Sequence, residues 1–232
     1  MTVGINSYTD TSTSDGQIYY YVVRAQDAAG NIEANTTEVS ATASGSGPPA
    51  PTGLTAAAIA GGSIQLDWTL SSPETDVAQY NIYRAVNSGE QNYASPLTNV
   101  SAGTSTYTDT TTTDGVTYYY VVRAQDAVGN TESNTNEASA MADATAPPAP
   151  TNLVASTVVG SGIQLNWTPS SPETDVSQYN IYRASSSEGQ NYSSPTYSVS
   201  TGNIGYTDTS VSDGATYYYV VRAQDAAGNI ET

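Results

Sequence analysis

Three stretches of the chain alternate apolar and polar side chains, as half-buried β-strands do. The run SIQLDWT at 63–69 puts Ile64, Leu66 and Trp68 on one side. The run QYNIYRA at 79–85 puts Tyr80 and Ile82 together. In TYYYVVRAQD at 117–126, Tyr118, Tyr120, Val122 and Ala124 share one face, and Tyr119, Val121, Arg123 and Gln125 the other. Tyr and Val suit a pleated, half-buried surface better than a helix. The intervening TTTTDG and AVGN carry turn chemistry. The pattern predicts an all-β fold, a Greek-key sandwich of about seven short strands.

The same pattern is written more than once. YYYVVRAQDAAGN at 19–31 returns with one change at 118–130 and unchanged at 217–229. Trp68 and Trp167, Pro48 and Pro147, and Arg24 and Arg123 are each 99 positions apart. A fixed period of this length is the mark of a tandem array. Residues 1–46 are expected to hold the last three strands of one module, 47–145 a complete module, and 146–232 a module without its final strand. The linkers SGSGPPAP and DATAPPAP are proline-rich, which favours short, semi-rigid spacing.

Each period resembles a fibronectin type III domain of the kind found in secreted bacterial and archaeal surface or filament proteins. The residues that carry the resemblance are PPAPTGL on strand A, Trp68 on B, YNIYR on C, YTDT on E, and DGVTYYYVVRAQDAVGN from the E–F turn through strand F. The resemblance implies that Trp68 and Trp167 are core tryptophans. It places Tyr118, with Tyr19 and Tyr217, where that family has a tyrosine whose hydroxyl ties back to nearby backbone. There is no Phe, so tyrosines must fill aromatic core sites, and each buried hydroxyl then needs a partner.

Composition narrows the function. The chain has no Cys, His or Lys, and its 5 arginines face 22 acidic residues, a net charge of −17. Such a surface repels phosphate backbones and anionic membranes and attracts divalent cations or basic partners. Without Cys or His there is no disulfide, thiolate metal site, Ser-His-Asp triad or thiol nucleophile. Paired carboxylates remain, but they recur with the module, which suits a spacer better than a unique active site. No apolar run approaches the roughly 20 residues of a membrane helix, so no membrane insertion is expected in this segment. The opening MTVGINSYTD lacks the basic and apolar parts of an export signal. For a secreted protein that signal is expected outside this chain.

Three sets of residues are candidates for more than folding. Glu74, Asp76, Asp126 and Asn130, with Glu173, Asp175, Asp225 and Asn229 one period on, fall in the B–C and F–G loops. Those loops share the end nearest the preceding module, whose E–F turn brings Asp15 or Asp114. Converging oxygens there would hold Ca²⁺. The alternative is that the F–G residues bond their own turn and the B–C acids are solvated. Tyr83, Tyr119 and Arg123, with Tyr182, Tyr218 and Arg222, are expected on the outward face of strands C and F, either as a lateral interface or as cross-strand pairs. Asn35, Asn99, Asn166 and Asn191 begin glycosylation sequons, none of which recurs at its 99-residue counterpart.

The reading is a non-enzymatic structural protein: a repetitive segment of an extracellular filament or cell-surface stalk. Its expected partners are copies of itself or flanking modules that complete the partial ends. The alternatives are spacer modules of a secreted polysaccharide-degrading enzyme, or an adhesin stalk.

Overall fold

The computed structural model describes residues 6–160 and 162–232. Residues 1–5, at the start of the first partial module, and Ser161 lie outside them. Every regular element among the described residues is a β-strand. They run β1 (Ile18–Val22), β2 (Glu38–Thr42), β3 (Thr52–Ile59), β4 (Ser63–Thr69), β5 (Gln79–Ala85), β6 (Thr98–Ser101), β7 (Thr106–Asp109), β8 (Thr117–Gln125) and β9 (Ala138–Met141). One period on come β10 (Thr151–Val158), β11 (Gly162–Thr168), β12 (Gln178–Ala184), β13 (Tyr197–Ser200), β14 (Gly205–Asp208) and β15 (Tyr218–Gln224).

The middle unit is a sandwich of two antiparallel sheets, ordered β3-β4-β7 and β6-β5-β8-β9. Alternation sends Ile64, Leu66 and Trp68 of β4 inward to meet Tyr80 and Ile82 of β5 and Tyr120, Val122 and Ala124 of β8. All are at most 5 % exposed. Each such aliphatic side chain contributes about 1.5–3 kcal/mol by leaving water. The β5–β8 register sets Tyr80 opposite Ala124 and Ile82 opposite Val122. The first strand of each sandwich bulges at Gly53 or Asn152, whose φ angles of 63° and 54° are left-handed. Gly and Asn are the residues that adopt this conformation most readily.

Tyrosine can replace phenylalanine in the core where its hydroxyl finds a polar atom; the Tyr182 hydroxyl is buried without one. The Tyr118 hydroxyl accepts the Thr113 N–H at 3.1 Å; Tyr19 and Tyr217 do the same with Ser14 and Ser212 at 2.8 and 3.1 Å. Tyr80 accepts the Ser71 N–H and donates to Glu74.

The flanking units differ at their edges. Strand β8 lies between β5 and β9, whereas β15 is paired only with β12 and β1 only with β2. On the open side of β15, Val220 is half-exposed, although its counterpart Val121 is fully buried. The β1–β2 register repeats β8–β9, with Tyr19 opposite Ala41 as Tyr118 is opposite Ala140. Residues 7–10, at the position of β7, form no strand. In the middle unit the partner of β7 is β4, and residues 6–46 contain no counterpart of β4.

Candidate functional site

The two places where successive units meet are built alike. In each F–G turn an aspartate accepts the backbone N–H and side-chain amide of the asparagine four residues on: Asp126 from Asn130, and Asp225 from Asn229. That asparagine then reaches the preceding unit. The Asn130 amide donates to the Ser44 carbonyl at 3.2 Å, and the Asn229 amide to the Asp143 carbonyl at 3.0 Å. Asn229 also accepts the Gly61 N–H at 2.8 Å.

The junctions differ in the side chain that meets the F–G aspartate. Ser44 donates its hydroxyl to Asp126 at 2.7 Å. Burial pushes Asp126 up, but this bond and those from Asn130 and Val128 hold its carboxyl below the usual range. The counterpart of Ser44 is Asp143, which puts a carboxyl group where the first junction has a hydroxyl. Asp143, Asp175 and Asp225 there bring carboxylate oxygens within 4.8 Å of one another. Burial and then the charges of Asp143 and Asp225 raise Asp175 above the usual range.

A raised acid binds its proton more tightly when folded, so this junction gains stability as pH falls from the raised value toward about 3.9. Replacing Asp143 by Ser should restore the first junction's hydrogen bond and remove one charge. The expected gain is about 0.5 kcal/mol, a rise of about 2–4 °C in melting temperature, with a flatter pH response. Calorimetric titration with Ca²⁺, run on both chains, decides whether a cation also relieves the repulsion; Ca²⁺ takes about six to eight oxygens, and this cluster offers three carboxylates.

Of the four loop residues expected to converge at the second junction, Glu173, Asp175, Asp225 and Asn229, only Asp175 and Asp225 fall in that cluster, and its third member, Asp143, comes from the linker side. Glu74 and Glu173 point elsewhere. Glu74 accepts the Tyr80 hydroxyl at 3.1 Å and the Gly103 N–H at 2.7 Å, and Glu173 accepts from Tyr179 and Gly202. They therefore tie the B–C loop to the turn before β7 or β14. Asp76 lines a groove at the first junction with Asp15 and Asp126. Asp15 and Asp114 hold the start of their own linkers, through Gly45 and Ser46 and through Ala144 and Thr145. The first linker then passes close under the middle unit's F–G hairpin. A Cβ on Gly47 would lie 2.5 Å from the Glu132 nitrogen.

The outward Tyr/Arg stripe needs correction. Tyr83 and Tyr182 are on the face expected, but they are 3 % and 1 % exposed. The loop after β5 folds over that face and lays Tyr93 edge-on against Tyr83, with ring centroids 5.2 Å apart. Arg123 then covers Tyr93 at 3.4 Å, a cation–π contact. Tyr192 and Arg222 repeat this over Tyr182. In the middle unit Glu137, just before β9, clamps the loop by accepting from Ser88, Gly89 and Gln91. Tyr119 is half-buried and Tyr218 is 39 % exposed.

The strongest polar constellation lies inside the sandwich. Asp109, fully buried, accepts Arg84 Nη1 at 2.7 Å and the Tyr120 hydroxyl at 2.9 Å on one oxygen. Its other oxygen accepts the Thr111 N–H and hydroxyl. Arg84 lies 4.8 Å from the Tyr118 ring centroid. Asp208, Arg183, Tyr219 and Ser210 repeat the arrangement. Burial pushes Asp208 up, but the Ser210 N–H, the Tyr219 hydroxyl and Arg183 outweigh it and hold the carboxyl at about 2. Sequence reasoning missed this set. The signal was YTDT and YNIYR recurring in step.

Among the sequon residues, Asn99 and Asn166 are exposed on β6 and β11. Asn191 is exposed and accepts the Ser193 N–H and hydroxyl. Asn35 is half-buried and donates its amide to the Val23 carbonyl.

No family model matches the sequence. The chain is 32 % identical to exoglucanase A of Cellulomonas fimi over an alignment 247 positions long, which takes in 99 % of this chain and 26 % of that protein. It is 29 % identical to exoglucanase B of the same organism and 28 % to chitinase A1 of Niallia circulans, each over 79 % of this chain. It spans only 16 % and 24 % of those two. Among solved structures, the FN1–FN3 domains of chicken CNTN1 superpose with a TM-score of 0.63, at 16 % identity, over 93 % of this chain and 73 % of that one. The likeness is one of fold. No helix among the described residues is long and apolar enough to cross a membrane.

Proposed function

Because the chain is built of tandem modules of fibronectin type III fold, we propose that it is a non-catalytic, extracellular spacer within a larger polysaccharide-acting protein. One observation carries this reading. The match to exoglucanase A takes in nearly all of this chain but about a quarter of that enzyme, so what is shared is a module array and not a whole catalytic apparatus. The side-chain chemistry supports it. The buried carboxylates Asp109 and Asp208 are held ionised by arginine and tyrosine in the core, where no substrate reaches. Filament and stalk share the same mechanics, a fixed distance kept by repeated units. The relatives favour the enzyme-linked form among these.

The reading is tested with the isolated chain. It should release no reducing sugar from cellulose or chitin. A fusion that places it between a glucanase catalytic domain and a cellulose-binding domain should keep full activity on soluble substrate. Turnover by the isolated chain would overturn the proposal.

A further inference from the structure

The turn that lays Tyr93 and Tyr192 over their sheets is the same in both units but is written differently at one position. Asn92 accepts the Ala94 N–H at 3.1 Å, and Asn191 accepts the Ser193 N–H at 3.1 Å. Only the second turn has a hydroxyl two residues after its asparagine, and Ser193 donates it to the same Asn191 oxygen. NYS at 191–193 is therefore a sequon, and NYA at 92–94 is not. Both asparagines are exposed. Asn92 is so in the middle unit, where β8 has a neighbour on each side, so the exposure belongs to the turn itself.

The other sequons are held differently. Asn99 lies on β6 opposite Asn81, and Asn166 on β11 between β10 and β14. An extended strand keeps residues i and i+2 about 6.5 Å apart, which sets the Ser101 and Thr168 hydroxyls away from their asparagines. Thr168 instead accepts the Asn152 amide at 3.2 Å. Asn35 is turned as Asn191 is, with the Thr37 N–H on its oxygen, but its nitrogen is spent on the Val23 carbonyl at 3.0 Å. Among the described residues the Asn191 nitrogen donates to no protein atom, while its oxygen takes two donors.

We propose that Asn191 is an N-glycosylation site, the one of the four sequons that the folded chain presents ready for transfer. The substrate class is an oligosaccharide carried on a lipid pyrophosphate and handed over by a transferase. A carboxamide nitrogen is a poor nucleophile, because its lone pair is shared with the carbonyl. Two donors aimed at the Asn191 oxygen stabilise the negative charge that collects there as the nitrogen gives up a proton. The nitrogen then bonds to the anomeric carbon. The bond from that carbon to the phosphate oxygen breaks, the lipid pyrophosphate leaves with the electron pair, and the amide proton passes to a base of the transferase. A glycan there would cover the exposed loop after β12, the kind of segment that proteases cut first. The inference rests on the extracellular part of the reading above and not on the spacer role.

The test gives the folded whole chain to a single-subunit oligosaccharyltransferase that reads Asn-X-Ser/Thr, together with its lipid-linked oligosaccharide. Peptide mass spectrometry follows each sequon. Asn191 should be modified about tenfold or more faster than Asn35, Asn99 or Asn166, since only its acceptor geometry is already made. Ser193→Ala should remove the modification, and Ala94 shows that the turn forms without the hydroxyl, so this variant stays folded. Ala94→Ser should create a second acceptor at Asn92. A heat-unfolded chain offers all four sequons without structure and should lose the preference. An unmodified Asn191 in the folded chain, equal modification of Asn99 or Asn166, or an Ala94→Ser chain left bare at Asn92 would overturn the proposal. None of these outcomes bears on the hydrolysis assays.

Discussion

An Asp109→Ala chain should lose about 3–5 kcal/mol from its middle module, the usual cost of stripping one partner from a buried ion pair. Against the about 5–15 kcal/mol that holds a domain together, this is enough to separate that module's melting transition from the rest of the chain. The cause is specific. Arg84 keeps its charge but loses its acceptor, and the Tyr120 hydroxyl is left inside the sandwich without one. Converting the pair together, as Arg84→Met with Asp109→Leu, removes the unpaired charge and should recover part of the loss, the Tyr120 hydroxyl remaining unmet. Thermal melts of the three chains measure this. A single change costing under about 1 kcal/mol would show that the ion pair is peripheral. The last module adds a pH signature. Asp208 is depressed to about 2 in the folded state, against about 3.9 unfolded. Its contribution is complete above about pH 3.9 and falls away as pH drops through 2, because the unfolded chain then takes up the proton more readily. Glu231 acts in the opposite sense. Burial raises it, so its share of stability grows as pH falls.

Extending the chain beyond Thr232 with a copy of residues 133–145 should stabilise the last module by about 2–4 kcal/mol, or about 10–20 °C for a domain of this size. The added segment would do for β15 what β9 does for β8, pairing with Tyr217 and Tyr218 as β9 pairs with Tyr118 and Tyr119. Its alanine equivalent to Ala142, fully buried in the middle unit, would close the core. Its glutamate equivalent to Glu137 would clamp the loop that carries Tyr192. Scanning calorimetry of both lengths is the check. An unchanged transition would mean that β15 is already complete without a second neighbour.

The alternation of Ile64, Leu66 and Trp68 and of Tyr118, Tyr120 and Val122 was enough to give the strands and the core face, since a period of two admits one inward set. It also assigned Tyr83 and Tyr182 to the correct face. It could not say what lies over that face: the cover comes from Tyr93 and Tyr192, ten residues on in an irregular loop. Asp109 was hidden for a related reason. A lone aspartate on a short strand reads as exposed, and only the fold brings Arg84 to it from another strand. Glu74 looked like a junction ligand because it stands two residues from Asp76, yet the Tyr80 hydroxyl captures it on the other side of the loop. Spacing located the loops; which way each side chain turned depended on non-local hydrogen bonds.

Hydrogen exchange resolved by residue on the whole chain tests most directly that each period folds as its own sandwich around an Arg–Asp–Tyr centre. Protection should be greatest in β5 and β8, reappear 99 residues on in β12 and β15, and be weakest in β1, which has one neighbour and carries exposed Ile18 and Tyr20, whereas β15 carries buried Val221 and Ala223. Protection of β1 equal to that of β8, or a pattern without the 99-residue recurrence, would contradict it.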